Sequence, residues 1–386
     1  MLVVLVHLLF YSCVLSKVYK LQLTHKAKHI HQHKHHKRQN SASLINAQDF
    51  DFYVNVTVGN GQVFSLIVDT GSSDMFVRGP GCVSNSGDNS CECDNMLPNP
   101  TACVLNTFDS SLSNLSQTAY VQYGSANVNF NIFSGPVLFD GFQITNFPFG
   151  SAYQISGLGN SGDGILGLGF NSISRVAWAT GKDASIFDAL GLTGRQQIFG
   201  TYLSNFDFQH FVNDVVGGEI TIGGIDNTKF TGPITYVPLI SESYWKFNIS
   251  TLTFSFGGSQ PLYLGSSGGG NAISDTGTGQ IYLDNSLADR VNSFLGGVYS
   301  NVYGSYVVDC KWQNSKIPMI FTLYGVKYSL SSSSYIIPYN GVCLSGISRN
   351  GADGHTAFSN FGQVWGRSYY TIYDKFNGRI GFAKAV

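Results

Sequence analysis

Asp69 and Asp275 each open the same short word, Asp69-Thr70-Gly71-Ser72-Ser73 and Asp275-Thr276-Gly277-Thr278-Gly279, 206 positions apart. A single Asp-Thr-Gly is ordinary turn chemistry. Two copies, each behind an apolar run (Phe64 to Val68 and Asn271 to Ser274), read as two halves presenting one carboxylate each to a shared centre. Paired carboxyls have a defined use. Held close, they cannot both ionise easily, so one keeps its proton while the other loses it. The pair then supplies a general base and a general acid together, which is what turning water against an unreactive bond requires. These roles belong to the coupled pair rather than to either aspartate.

Such loops need strands to present them. Gly71 and Gly277 let the backbone pass close to the carboxylates, where N–H donors can hold them. Phe52 to Val58 alternates in strand fashion, turns at Gly59-Asn60-Gly61, and returns from Gln62 to Val68 into Asp69, a hairpin. A second hairpin is expected over Ala119 to Phe130, around Tyr123-Gly124-Ser125. Asp163 to Gly169 is a Gly-punctuated apolar run, and Tyr369 to Phe382 reads as strand, Asn377-Gly378 turn, strand. Helix candidates are short: Ser185 to Leu190 and Asn285 to Gly296. With 386 residues there is chain for two compact lobes, and 45 glycines among short Val/Ile-rich runs predict a mostly β protein.

The N-terminus differs from the rest. Leu2 to Val14 is apolar and ends near Ser16, too short for a membrane span, so residues 1–16 read as a secretory signal. Residues 17–38 hold seven of the 22 Lys/Arg and six of the nine His, with no Asp or Glu. That leaves 15 basic against 23 acidic residues beyond position 38, a net of −8. A basic tail could be a nucleic-acid arm or a solvated tail. Behind a signal, a removable segment bound to an acidic groove fits better. The tract His29 to His36 is metal-capable, but such tracts need not fold around an ion. Apart from Cys13, six cysteines remain, an even number that implies disulfides in a secreted chain. Cys82, Cys91, Cys93 and Cys103 crowd one polar loop and permit three pairings; a zinc site is the rival, disfavoured by the Cys91-Glu92-Cys93 spacing. Cys310 and Cys343 lie far along the chain.

Together these features resemble the pepsin-like aspartic peptidases from about Phe50 to Val386. The likeness includes Gly223-Gly224-Ile225-Asp226, Tyr236-Val237-Pro238-Leu239 with Tyr244-Trp245, and Tyr369 to Asp374. It implies a bilobal, mostly β fold with two pseudo-symmetric lobes around a central cleft. The implied layout is signal 1–16, basic activation segment 17–43, N-terminal lobe 44–210 and C-terminal lobe 211–386. By resemblance Asp69 and Asp275 are catalytic, and their proton-sharing is behaviour for which this family is itself the reference case. Thr70 and Thr276 are expected to bond across to the opposite loop, and Ser72 and Thr278 to hold the outer carboxylate oxygens. Tyr123 and Gly124 map onto a mobile flap, with Ile67, Ile165 and Ile273 as apolar pocket walls. The resemblance also pairs Cys310 with Cys343 and starts the N-terminal disulfide loop at Cys82.

Several family positions are changed. Phe76 replaces the usual Trp, removing an indole N–H that would meet the flap hydroxyl. Ala126 replaces a flap Gly, Gly279 a Ser, and Gln363 an Asp, and Asn360-Phe361-Gly362 matches the apolar-apolar-Gly motif less well than Ile165-Leu166-Gly167. The stretch 156–162 lacks the bulky aromatics that often line the first specificity pocket. The expected function is a secreted, zymogen-derived aspartic endopeptidase, preferring apolar or aromatic residues at the cut and working in acid. The alternatives are a weakly active or inactive binding or inhibitor protein on the same fold, and an extracellular structural β protein. The first would usually have lost a dyad residue; the second leaves the doubled loop unexplained. Expected partners are peptide substrates and the chain's own prosegment as inhibitor, with no nucleic acid, no membrane span, no metal and no cofactor. One chain carries both halves, so a monomer is expected, in an extracellular or lysosome-like acidic setting. Sequons at Asn55, Asn114 and Asn248 fit a secreted glycoprotein.

Overall fold

The computed structural model describes residues 19–25, 52–93, 102–139, 142–159, 162–204, 215–249, 251–254, 262–263, 270–339, 341–350 and 358–386. The signal at 1–16, most of the activation segment and the His tract lie outside the described residues. Strands dominate, and they form two lobes built the same way around the two Asp-Thr-Gly loops.

In the N-terminal lobe Phe52–Val58 and Gln62–Asp69 pair antiparallel, with Val58 opposite Gln62. The turn between them needs left-handed backbone, and Gly59 and Gly61 supply it at φ 63° and 107°. Asp109 fixes the turn by accepting from Asn60 N at 2.8 Å. Gln62–Asp69 then lies parallel to Gly164–Gly167, placing Asp69 beside Gly167. Met75–Val83 closes on the other side of that glycine-rich strand. The C-terminal lobe repeats the device. Asn271–Ser274 runs parallel to Ser359–Phe361, with Ser274 opposite Phe361, and Ile281–Leu283 flanks that strand antiparallel. A parallel pair cannot be joined by a tight turn. Each aspartate therefore sits at the end of a strand whose parallel partner comes from chain distant in sequence.

The lobes meet on central strands. Ile198–Leu203, Tyr369–Asp374, Arg379–Ala385 and Phe230–Pro238 continue one thirteen-stranded sheet. Within it Tyr19–His25 lies between Val215–Ile222 and Phe52–Val58. Trp245, 1% exposed, joins the lobes: its Nε1 donates to Leu168 O at 3.0 Å, and its ring packs 4.6 Å from Phe170 and 5.0 Å from Tyr373 between centroids. Burying such rings stabilises the junction of the halves. The predicted helices are present as Ile186–Ala189 and Asn285–Phe294. Among the described residues no helix is long and apolar enough to cross a membrane. Three disulfides close: Cys82–Cys91, Cys93–Cys103 and Cys310–Cys343, with Cα separations of 5.5, 5.7 and 5.2 Å. The crowded loop thus makes two small consecutive rings.

Candidate active site

The two Asp-Thr-Gly loops are bolted to each other by their threonines. Thr70 N donates to Thr276 Oγ1 at 3.1 Å, and Thr276 N donates to Thr70 Oγ1 at 3.0 Å. Each hydroxyl then donates onward into the opposite strand, Thr70 to Ser274 O at 3.0 Å and Thr276 to Val68 O at 2.7 Å. All four bonds are buried, where water does not compete for them. The glycines follow from the same closeness. A Cβ on Gly71 would stand 2.5 Å from Asp275 Cγ, and one on Gly277 2.7 Å from Asp69 Oδ1. Either carboxylate excludes a side chain at the opposing glycine.

Each carboxylate is gripped at both oxygens. Gly71 N donates to Asp69 Oδ1 at 2.8 Å, and the Ser72 hydroxyl donates to Asp69 Oδ2. Gly277 N donates to Asp275 Oδ1 at 2.9 Å, and Thr278 Oγ1 to Asp275 Oδ2 at 2.7 Å. The two aspartates are each 6% exposed. Burial pushes the Asp69 carboxyl well above the usual carboxylate range, and the Asp275 charge beside it adds to the rise; the bonds from Ser72 and Gly71 oppose it. One carboxyl of a close pair therefore favours its protonated form.

A match to the family model described as "Eukaryotic aspartyl protease" runs over residues 51–385. The chain belongs to that family. It is 30% identical to cathepsin E-B of Xenopus laevis over 356 residues, 90% of this chain and 82% of that one. It is 32% identical to pepsin A of Sus scrofa over 349 residues, 88% and 83% of the two chains. The crystal structure of an aspartic proteinase from Irpex lacteus superposes with a TM-score of 0.69 and 21% identity, covering 96% of this chain and 98% of the other, a likeness of fold.

The hairpin between Ser113–Gln122 and Asn127–Phe139 carries Tyr123 and Gly124, the residues expected of a flap, and is closed by Tyr123 N donating to Ala126 O at 2.7 Å. The Tyr123 ring lies 6.0 Å from the Phe76 ring, the position that lacks an indole. Its hydroxyl is buried beside the Ser72 hydroxyl, which donates to Asp69. Burial raises the Tyr123 phenol well above its ordinary pKa, and the charges of Asp74 and Asp69 add to that. Ile67 and Ile165 face each other across the parallel pair and are 4% exposed. Ile273 is fully buried and offers a substrate no surface in this conformation. Gly124 is partly buried beside Tyr123.

Two residues tied to the site escape the sequence reading. Asn360, with no exposed surface, donates from Nδ2 to Asp275 Oδ2 at 2.7 Å and to Thr278 Oγ1 at 3.0 Å. In sequence it is only the weak member of an apolar-apolar-Gly segment. Tyr373 shares a 3.0 Å hydrogen bond with Ser274 Oγ and a 3.5 Å contact with Thr70 Oγ1, joining the central sheet to both loops. Gln363 donates to Thr276 O at 3.0 Å and accepts from Arg367 at 3.2 Å, so the residue in place of the family's Asp supports the loop backbone without a charge. Of the sequons, Asn55 and Asn114 are exposed, Asn55 despite its strand, and Asn248 is half-buried.

Proposed function

We propose that this protein is an aspartic endopeptidase in which Asp69 and Asp275 activate water against a peptide bond. The observation that carries the reading is the reciprocal Thr70–Thr276 lock, which sets two gripped carboxylates side by side at the junction of the lobes. The ionised member takes a proton from water as the water oxygen bonds to the peptide carbonyl carbon. The protonated member gives its proton to the carbonyl oxygen, leaving a neutral tetrahedral adduct. On collapse the C–N bond breaks, the amine leaves with a proton from the pair, and one hydroxyl of the adduct returns its proton as the carboxylic acid product forms, so the pair ends with one shared proton. The Asn360 donor reaches only Asp275, so the two carboxyls differ in surroundings while the single proton belongs to the pair. Thr70, Gly71, Ser72, Thr276, Gly277 and Thr278 orient the pair, and Tyr123 on its hairpin closes over the substrate and excludes water.

The chain is secreted or delivered to an acidic compartment as a precursor. Residues 1–16 direct export, 17–43 form the activation segment, and 44–210 and 211–386 are the catalytic lobes. The segment's seven Lys/Arg against the body's net −8 support an inhibitor held in place by charge. The test is a peptide library digested by acid-treated protein across about pH 2–7 with a statine-type mimic of the tetrahedral adduct as blocker. Cleavage beside apolar or aromatic residues, abolished by the mimic, is expected. Cleavage indifferent to the mimic would sink the proposal, as would none at any pH.

A further inference from the structure

One flank of the carboxylate pair carries two cations set among aromatic rings, and among the described residues neither side chain forms an ion pair, although Asp74 accepts from Arg175 N at 2.9 Å and feels the guanidinium charge. Arg175 opens the helix Arg175–Thr180 in the N-terminal lobe, and its guanidinium lies 4.4 Å from the ring centre of Trp178, itself 64% exposed. Lys246, on Trp245–Asn248 in the C-terminal lobe, sits 4.8 Å from the Phe358 ring and 5.7 Å from the Tyr244 ring. Tyr244 and Phe358 pack with centroids 5.4 Å apart.

Two hydrogen bonds bring these segments together across the lobes. Trp178 Nε1 donates to Ser172 O at 3.0 Å, and the Ser172 hydroxyl donates to Glu242 O at 2.5 Å. The resulting ridge stands next to the reacting centre. Lys246 pairs with Ile273, two residues before Asp275, and Phe358 directly precedes Ser359–Phe361, the strand parallel to Asn271–Ser274. Tyr244 lies within electrostatic reach of Asp69, Arg175 and Asp275 alike, and burial holds its phenol above the ordinary value.

Flat apolar rings beside cations that hold no ion pair suit a side chain with a short aliphatic stem and an anionic tip. Arg offers a fixed fork and Lys a movable point charge to such a tip. We propose that Arg175 and Lys246 determine specificity for an Asp or Glu side chain at one fixed position of the substrate, on one side of the cut and beyond the apolar residues that flank it. This rests on the peptidase reading above and names a substrate feature that reading lacks.

The test uses matched peptides with the same apolar cut site, carrying Glu or Gln at each outlying position in turn. At about pH 5.5 the Glu is ionised. The wild type is expected to favour Glu over Gln in kcat/KM by about fivefold at one position, the scale of a partly exposed ion pair, and added salt reduces the ratio. In Arg175→Gln/Lys246→Gln the ratio falls to about one, and Lys246→Glu turns the preference toward a Lys peptide. A fold defect would lower both peptides together and leave the ratio alone. A wild-type ratio near one at every position overturns the proposal, as does a ratio that survives in the double variant. Should the wild type cut neither peptide, the proposed function fails separately. The uncut pair then reports the ridge by fluorescence anisotropy: tighter binding of the Glu form sustains it, and equal binding overturns it.

Discussion

Asn360→Leu removes one donor from the carboxylate pair while roughly keeping the side-chain volume. Asn360 Nδ2 lies 2.7 Å from Asp275 Oδ2 in a fully buried position, so no solvent replaces the lost bond. A hydrogen bond to a charged group contributes about 1.5–3 kcal/mol. One pKa unit corresponds to about 1.4 kcal/mol. Losing a donor to the ionised form disfavours that form, so the doubly protonated pair gives up its first proton at higher pH. The acid limb of kcat/KM, which reports this step in the free enzyme, should move up by about one to two units. Activity near pH 5 should change much less than activity near pH 2.5. The assay is a fluorogenic peptide followed from about pH 2 to 7, with a melting curve showing that the variant is folded; Asn360→Ala substitutes if it is not. A folded variant whose acid limb stays within about 0.3 unit of wild type refutes the reasoning.

Other consequences follow from the same geometry. Folding raises the Asp69 carboxyl above its unfolded value, so its contribution to stability is fully present below the unfolded pKa and is lost as pH rises through the folded one; burial raises Asp74 in the same direction. Asp69→Asn, which mimics the protonated form, should therefore lose less Tm than wild type between about pH 4 and pH 7, and an equal or larger loss counts against the assignment. Gly71→Ala should lower kcat/KM by about a hundredfold, since its Cβ must displace Asp275 Cγ from 2.5 Å; a variant near wild-type rate would show that the pair tolerates movement. Acid should convert purified precursor to a shorter form cut between Lys37-Arg38 and about Ala47, and the Asp69→Asn precursor alone should stay long; efficient processing of that variant rules out self-cleavage.

What was legible in sequence was short-range and repeated. The doubled Asp-Thr-Gly, the turns at Gly59-Asn60-Gly61 and Tyr123-Gly124-Ser125, and the apolar run at Gly164–Gly167 mark their strands through local rules of turn and alternation. The pairing of Cys82 with Cys91 and Cys93 with Cys103 was not legible, because four cysteines in one loop are distinguished only by how that loop folds. Asn360 and Tyr373 stayed hidden for a related reason. A polar residue in a buried strand and a tyrosine in an aromatic one gain meaning only from partners 85 and 99 positions away, Asp275 and Ser274. The ridge of Arg175, Lys246 and Phe358 comes from three separate segments and has no sequence pattern. Ile273, expected from the sequence as a pocket wall, is fully buried, because its strand packs into the core.

The central claim is that both aspartates are needed for one reaction, and the most direct measurement is kcat/KM for Asp69→Asn and Asp275→Asn on a single peptide cut by the wild type. All three precursors should first be processed by the same added basic-specific protease, so that none depends on self-conversion. The account predicts that each single variant falls below about a hundredth of wild type, because one carboxyl cannot supply both base and acid. Either variant retaining more than about a tenth, a loss under ~1.4 kcal/mol, contradicts it.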